Sequence, residues 1–108
     1  MKKSLFYSVA AAAFILSATA ALAEDYVITL KDHKFSPKEL AIPAGQKVKV
    51  TVKNMDSSPA EFESNELNRE KVISANSEAI IFIGPLDPGS YSYFDEFHPD
   101  TKGTIVAK

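Results

Sequence analysis

Lys47-Val48-Lys49-Val50-Thr51-Val52-Lys53 alternates polar and apolar residues without a break. Successive side chains of a strand point to opposite faces, so Val48, Val50 and Val52 line one side and the lysines and Thr51 the other. A helix would scatter the three valines around its axis, so the spacing predicts a strand with one buried face. Toward the N-terminus, Pro43-Ala44-Gly45 reads as a turn and Leu40-Ala41-Ile42 as a short strand. Asp32 to Pro37 breaks the pattern, and Tyr26-Val27-Ile28-Thr29-Leu30 alternates again, with Tyr26, Ile28 and Leu30 on one side. Toward the C-terminus, a loop from Asn54 to Pro59 precedes Ala60-Glu61-Phe62-Glu63-Ser64. Residues 65–69 are polar enough for one short helical turn, and Lys71-Val72-Ile73 is brief. Ala79 to Ile83 is an apolar run, and Gly84 to Gly89 is turn chemistry. Ser90 to Phe94 and Gly103 to Ala107 are the last two strands, with a loop from Asp95 to Lys102 between them. About seven short strands with closely spaced turns and no long helical period predict an all-β, antiparallel Greek-key β-sandwich.

The strands occupy only part of the 108 residues. Before them, Lys2 and Lys3 precede an apolar run from Leu5 to Leu16, and the stretch closes on Ala21-Leu22-Ala23. A basic start, a short apolar core and an A-x-A exit predict a secretory signal peptide over residues 1–23 and one domain over 24–108. The expected location is the periplasm. A composition 45% hydrophobic and 24% charged excludes collagen, a coiled coil and a wholly disordered chain. The net charge is −2, and loss of Lys2 and Lys3 makes the remainder more acidic, which argues against a nucleic-acid partner. There is no cysteine, so disulfides and thiol nucleophiles are excluded. No G-x-S-x-G elbow, H-E-x-x-H pair or glycine-rich phosphate loop is present. The chain is also too short for a sugar cleft around its carboxylates.

Phe35 and Pro37, Pro43 and Gly45, Val48 to Asn54, Pro59, Pro88-Gly89 and Tyr91 to His98 together resemble the cupredoxin fold, over essentially all of residues 24–108. In a blue-copper member the resemblance implies a Cys where this chain has Asp95 and a first His where it has Ala60; only His98 matches. No axial Met follows His98, because Pro99-Asp100-Thr101-Lys102 runs directly into Gly103. A His₂Cys site with a weak axial Met cannot be assembled, so blue-copper electron transfer is excluded. His33-Lys34-Phe35, Glu61 to Ser64, Arg69-Glu70-Lys71 and Glu96 to Pro99 resemble small, exported, Cys-less cupredoxin-like proteins. These are associated with bacterial iron uptake beside iron permeases.

Strand parity reaches the same residues independently. If Tyr91 and Tyr93 face the core, Asp95 also points inward, and a buried carboxylate is costly without a partner. His98 lies three residues on. Phe62 facing the core turns Glu61 and Glu63 to the opposite side, roughly 6–7 Å apart. The resembled fold gathers His33, Glu61, Glu63, Asp95, Glu96 and His98 at one end as a metal site. Oxygen and imidazole donors suit iron, manganese, zinc or copper(II) and not Cu(I), and of these iron or copper(II) is the expected ion. Alternative readings make both histidines ordinary loop residues and Glu61 and Glu63 the polar face of an edge strand, with Arg69 and Lys71 pairing the acids. Glu66, Glu70 and Glu78 read as solvated. The expected function is a metal-binding accessory of iron uptake that oxidises ferrous iron or relays it to a membrane permease or another periplasmic iron-uptake protein. It reads as a binding and transfer protein more than as an enzyme. The alternative is a metal-free β-sandwich docking module.

Overall fold

A computed structural model describes residues 25–108; the expected signal peptide, residues 1–23, lies outside the described residues. Among the described residues nine strands form: β1 (Asp25–Lys31), β2 (Lys34–Ser36), β3 (Glu39–Ile42), β4 (Val48–Asn54), β5 (Ala60–Ser64), β6 (Arg69–Ile73), β7 (Ser77–Ile83), β8 (Gly89–Asp95) and β9 (His98–Ala107). They build a four-stranded sheet of order β2-β1-β4-β7 and a five-stranded sheet of order β3-β9-β8-β5-β6. Among the described residues no helix is long and apolar enough to cross a membrane.

The β-sandwich class agrees with the sequence, but the sheets are mixed instead of purely antiparallel. β1 pairs with β4, and β3 with β9, in parallel. Alternation decides which face a residue takes but is blind to strand direction, so a parallel pairing between distant segments leaves no local mark. One strand, β2, comes from the segment Asp32 to Pro37 that reads as a break. Asp32 and His33, with φ of 52° and 57°, make a two-residue turn that folds β2 back on β1, pairing Lys31 with Lys34. Positive φ at both central residues is the geometry of a tight hairpin, usually signalled by Asn-Gly, and Asp-His hides it. Polar residues 65–68 likewise form the turn of the β5–β6 hairpin, with no helix.

Val48, Val50 and Val52 are at most 1% exposed, as their alternation requires. Burying each contributes about 1.5–3 kcal/mol before chain entropy is charged against it. Opposite them, Tyr93 stacks on Phe62 with ring centroids 4.6 Å apart and meets Phe35 edge-on at 4.9 Å. Tyr93 pairs with Gly103 on β9, and a Cβ at Gly103 would stand 2.3 Å from the tyrosine oxygen. Only glycine admits the ring there. The buried hydroxyl of Tyr93 has no hydrogen-bond partner among the described residues, and burial raises its pKa well above the usual phenol range.

A buried hydroxyl without a partner costs free energy that phenylalanine does not incur. Tyr93→Phe is therefore expected to leave the thermal midpoint unchanged or raise it. Gly103→Ala should lower stability by about 1–3 kcal/mol through overpacking against the ring. Paired denaturation curves check both. A strongly destabilised phenylalanine variant would show that the hydroxyl is satisfied.

Candidate metal centre

Asn54 continues the inward-facing parity of Val48, Val50 and Val52, and it is 1% exposed. A buried amide needs partners. Its Nδ2 donates to the carbonyls of Ser58 (2.9 Å), Ile73 (3.2 Å) and Ser74 (3.3 Å), and its Oδ1 accepts the Asp56 N–H at 3.0 Å. These bonds fix the loop after β4 and aim Asp56 across at the β1–β2 turn. There the Asp56 carboxylate accepts the N–H groups of Asp32 (2.6 Å) and His33 (3.0 Å). Partial burial pushes the Asp56 carboxyl up. The bonds from His33 and Asp32, with the nearby charges of His33 and Lys31, outweigh it and hold the carboxyl below the usual range. Thr101 on β9 completes the support by donating its hydroxyl to the His33 carbonyl at 2.8 Å.

Asp95 does the same from the other sheet. It is 1% exposed, opposite Phe62 on β5. Its Oδ1 accepts the N–H groups of Glu61 (2.9 Å) and Phe97 (3.0 Å), and its Oδ2 lies 3.1 Å from His98 Nδ1. Three of the roughly four lone-pair positions of the carboxylate are thus engaged. Asp95 and His98 face each other across the two-residue turn Glu96-Phe97, in place of the long loop read from the sequence. The rings of His33 and His98 meet with centroids 4.2 Å apart at an interplanar angle of 40°. His33 Nδ1 is 3.8 Å from Asp56 Oδ2, so each imidazole has a carboxylate at its Nδ1 side. The outer nitrogen, Nε2, is the one left for a ligand in such an arrangement.

The six residues singled out from the sequence fall into two groups, not one. His33, Asp95 and His98 gather at the end of the sandwich. Glu61 and Glu63 alternate with buried Phe62 and point away from the core, where Glu70 joins them from β6 opposite Glu63. Ligand oxygens of Glu61, Glu63 and Glu70 lie within 4.8 Å of one another. Glu96 acts on this second group: burial raises the Glu61 carboxyl first, then Glu70, Glu63 and Glu96 add to it. Glu63 is raised by burial and by the charges of Glu70 and Glu96. The two groups sit back to back on the β5–β8 pairing, joined through the Glu61 N–H to Asp95 and the Glu96 N–H to the Glu61 carbonyl (2.9 Å).

Glu70, read as a solvated acid, belongs to the carboxylate group; knowing the hairpin register would have found it. Arg69 does not neutralise these acids. It donates instead to the carbonyls of Phe82 and Asn68, both at 2.9 Å. Glu66 accepts the Ser92 hydroxyl and N–H, which hold its carboxyl below the usual range.

The pattern of the cupredoxin-like domain family matches residues 5–107. An uncharacterized protein of Rickettsia prowazekii (strain Madrid E) is 42% identical over 80 residues, 73% of this chain; the chain spans 64% of that relative's length. Amicyanin from Paracoccus versutus superposes with a TM-score of 0.63 at 21% identity, covering 84% of this chain and 88% of that one. The metal-binding domain of a Cu(I)-exporting P-type ATPase of Streptococcus pneumoniae D39, with Cu(I), gives 0.67 at 17% identity, covering 78% and 84%. Auracyanin A, a blue copper protein from Chloroflexus aurantiacus, gives 0.66 at 17% identity, covering 78% and 98%.

The crowded glutamates set a testable pH dependence. The folded-state values of Glu61 and Glu63 are raised above the ordinary 4.5, so the folded chain binds protons more readily than the unfolded chain just above that value. Stability therefore rises as pH falls toward 4.5, and the penalty is fully present at neutral pH. Glu70→Gln should raise the melting temperature at pH 7 and flatten the gain on acidification to pH 5. Parallel melting curves with equal slopes for wild type and variant would show that the acids do not interact.

Proposed function

The chain belongs to the cupredoxin-like domain family, and from that premise we propose that it is an exported, periplasmic metal-binding accessory of iron uptake. It holds copper(II) or iron and relays iron to a membrane permease or another periplasmic iron-uptake protein. The carrying observation is the pair of imidazoles, His33 and His98, brought ring to ring by a buried carboxylate on one sheet and a buried amide on the other. Supporting a metal, two structural neighbours are copper proteins by description, one blue copper and one carrying Cu(I). Supporting export, residues 1–23 have the pattern of a secretory signal. Supporting iron, the Cys-less motifs resemble proteins of iron-permease systems.

The residues at the end of the sandwich fit a transition metal. Asp95 holds His98 by its Nδ1, and an outer carboxylate of this kind fixes the ring and makes its other nitrogen a better donor. Without a thiolate donor, imidazole and carboxylate favour Cu(II) over Cu(I) and Fe(III) over Fe(II). A bound ion would supply Lewis acidity and a one-electron couple, and the chain's own part is to orient the donors. A metal-free docking module is the second reading. Exposed Val27, Ile80 and Phe82 on the outer face of the four-stranded sheet favour it, with Val27 and Ile80 aligned across Thr51.

Titration with copper(II) separates the two readings. One ion per chain is expected, without an intense blue band, since that band needs a Cu–thiolate bond and the chain has no cysteine. Asp95→Asn should weaken binding about 10–100-fold, His98→Ala at least as much, and Glu78→Gln not at all. No binding by the wild type would leave the docking module. In cells, deletion should slow uptake of labelled ferrous iron from iron-limited medium. Full complementation by a chain carrying Asp95→Asn, Glu96→Gln and His98→Ala would refute the metal role.

A further inference from the structure

Beside His33 lies a groove of about 500 Å³ whose lining includes none of Glu61, Glu63 and Glu70. Lys34 of β2, Lys38 of the β2–β3 connection and Lys102 of β9 line it, with Phe35 and Thr101. Among the described residues none of the three ammonium groups has a carboxylate within 4.0 Å, and the ion pairs are the two histidine–aspartate contacts. Asp32 and Asp100 also line the groove, leaving three cationic and two anionic side chains. The groove is thus net positive on a chain whose net charge is −2. Thr101 is 7% exposed, with its hydroxyl already bonded to the His33 carbonyl, so one wall of the groove and the backbone of His33 are a single rigid piece.

Like charges brought together without partners repel, and an anion spanning them removes that repulsion while gaining charge-assisted hydrogen bonds. The volume suits a small organic ligand and exceeds what a single inorganic anion fills. The groove opens on His33, one of the two imidazoles assigned above to the metal. From this juxtaposition we infer that the protein takes its metal as an anionic polycarboxylate chelate: Lys34, Lys38 and Lys102 hold the chelator's carboxylates while His33 and His98 meet the ion. This rests on the metal-binding reading and names the form in which the metal arrives. Glu61, Glu63 and Glu70 do not line the groove, although Glu63 shares a cross-strand row of the outer face with Lys102 through Phe94.

The test uses the purified protein and two ligands: copper(II) from a non-chelating buffer, and gallium(III) citrate, a redox-inert stand-in for the ferric chelate. Binding is followed by calorimetry and by the amide resonances of residues 32–38 and 100–102. The wild type is expected to bind both, with affinity for the citrate complex falling steeply between low and high salt. Replacing all three lysines by glutamine should weaken citrate-complex binding at least about tenfold and leave copper(II) binding within about twofold. Lys38→Gln alone, an exposed position, gives a smaller loss in the same direction and covers a triple variant that fails to fold. Equal affinities for the citrate complex in wild type and variants overturn the inference, as does equal loss for both ligands. A wild type that binds copper(II) but not the citrate complex overturns the inference alone; one that binds neither overturns the metal reading with it. Displacement of the citrate complex by millimolar inorganic phosphate as effectively as by citrate would show a general anion site and also overturn it.

Discussion

A carboxylate at 1% exposure must be surrounded by donors or it unfolds the structure around it, and the end of this sandwich is organised by meeting that requirement at Asp95. Its three contacts come from β5, from the Glu96-Phe97 turn and from His98 at the start of β9. They bind together the three segments that form one half of the rim. Asn54 meets the same requirement on the other sheet, tying the loop after β4 to the end of β6 and, through Asp56, to the His33 turn. Each polar residue stands where strand parity calls for an apolar one, at the end of an inward-facing run. The two imidazoles come together because each is held by one of these buried groups.

That parity also explains what was legible in the sequence. Val48, Val50, Val52, Phe62 and Tyr93 were placed in the core by alternation alone, and all are buried. Asp95 was placed inward at the rim by the same count. The pairing of distant strands was not legible, because β1–β4 and β3–β9 run parallel across long separations and leave no local signature. The Asp32-His33 turn escaped because it adopts positive φ without glycine, stabilised by a carboxylate more than twenty residues away. Its discovery turns His33 from a loop residue into a fixed neighbour of His98.

The site was half legible for a related reason. Six donors were recognised by type, but their division depends on which side of β5 each one takes. Glu61 and Glu63 lie on the outer side with Glu70, while Asp95 lies on the inner side with His98. One β-sheet thickness therefore separates a carboxylate cluster from an imidazole pair. The imidazole pair differs chemically from a blue-copper centre: His98 is held through its ring by the Asp95 carboxylate, His33 through its backbone by Asp56, and no thiolate is present.

On the proposed reading both imidazoles ligate one ion. Pulsed electron paramagnetic resonance of the protein carrying one equivalent of copper(II) reads this directly, through the coupling of the remote imidazole nitrogen of each bound histidine. The signature of two histidines is expected, reduced to one in His33→Ala and in His98→Ala. A spectrum showing oxygen ligation alone, unchanged in both variants and lost when Glu61 and Glu63 become glutamine, would contradict it and move the site to the outer face of the sheet.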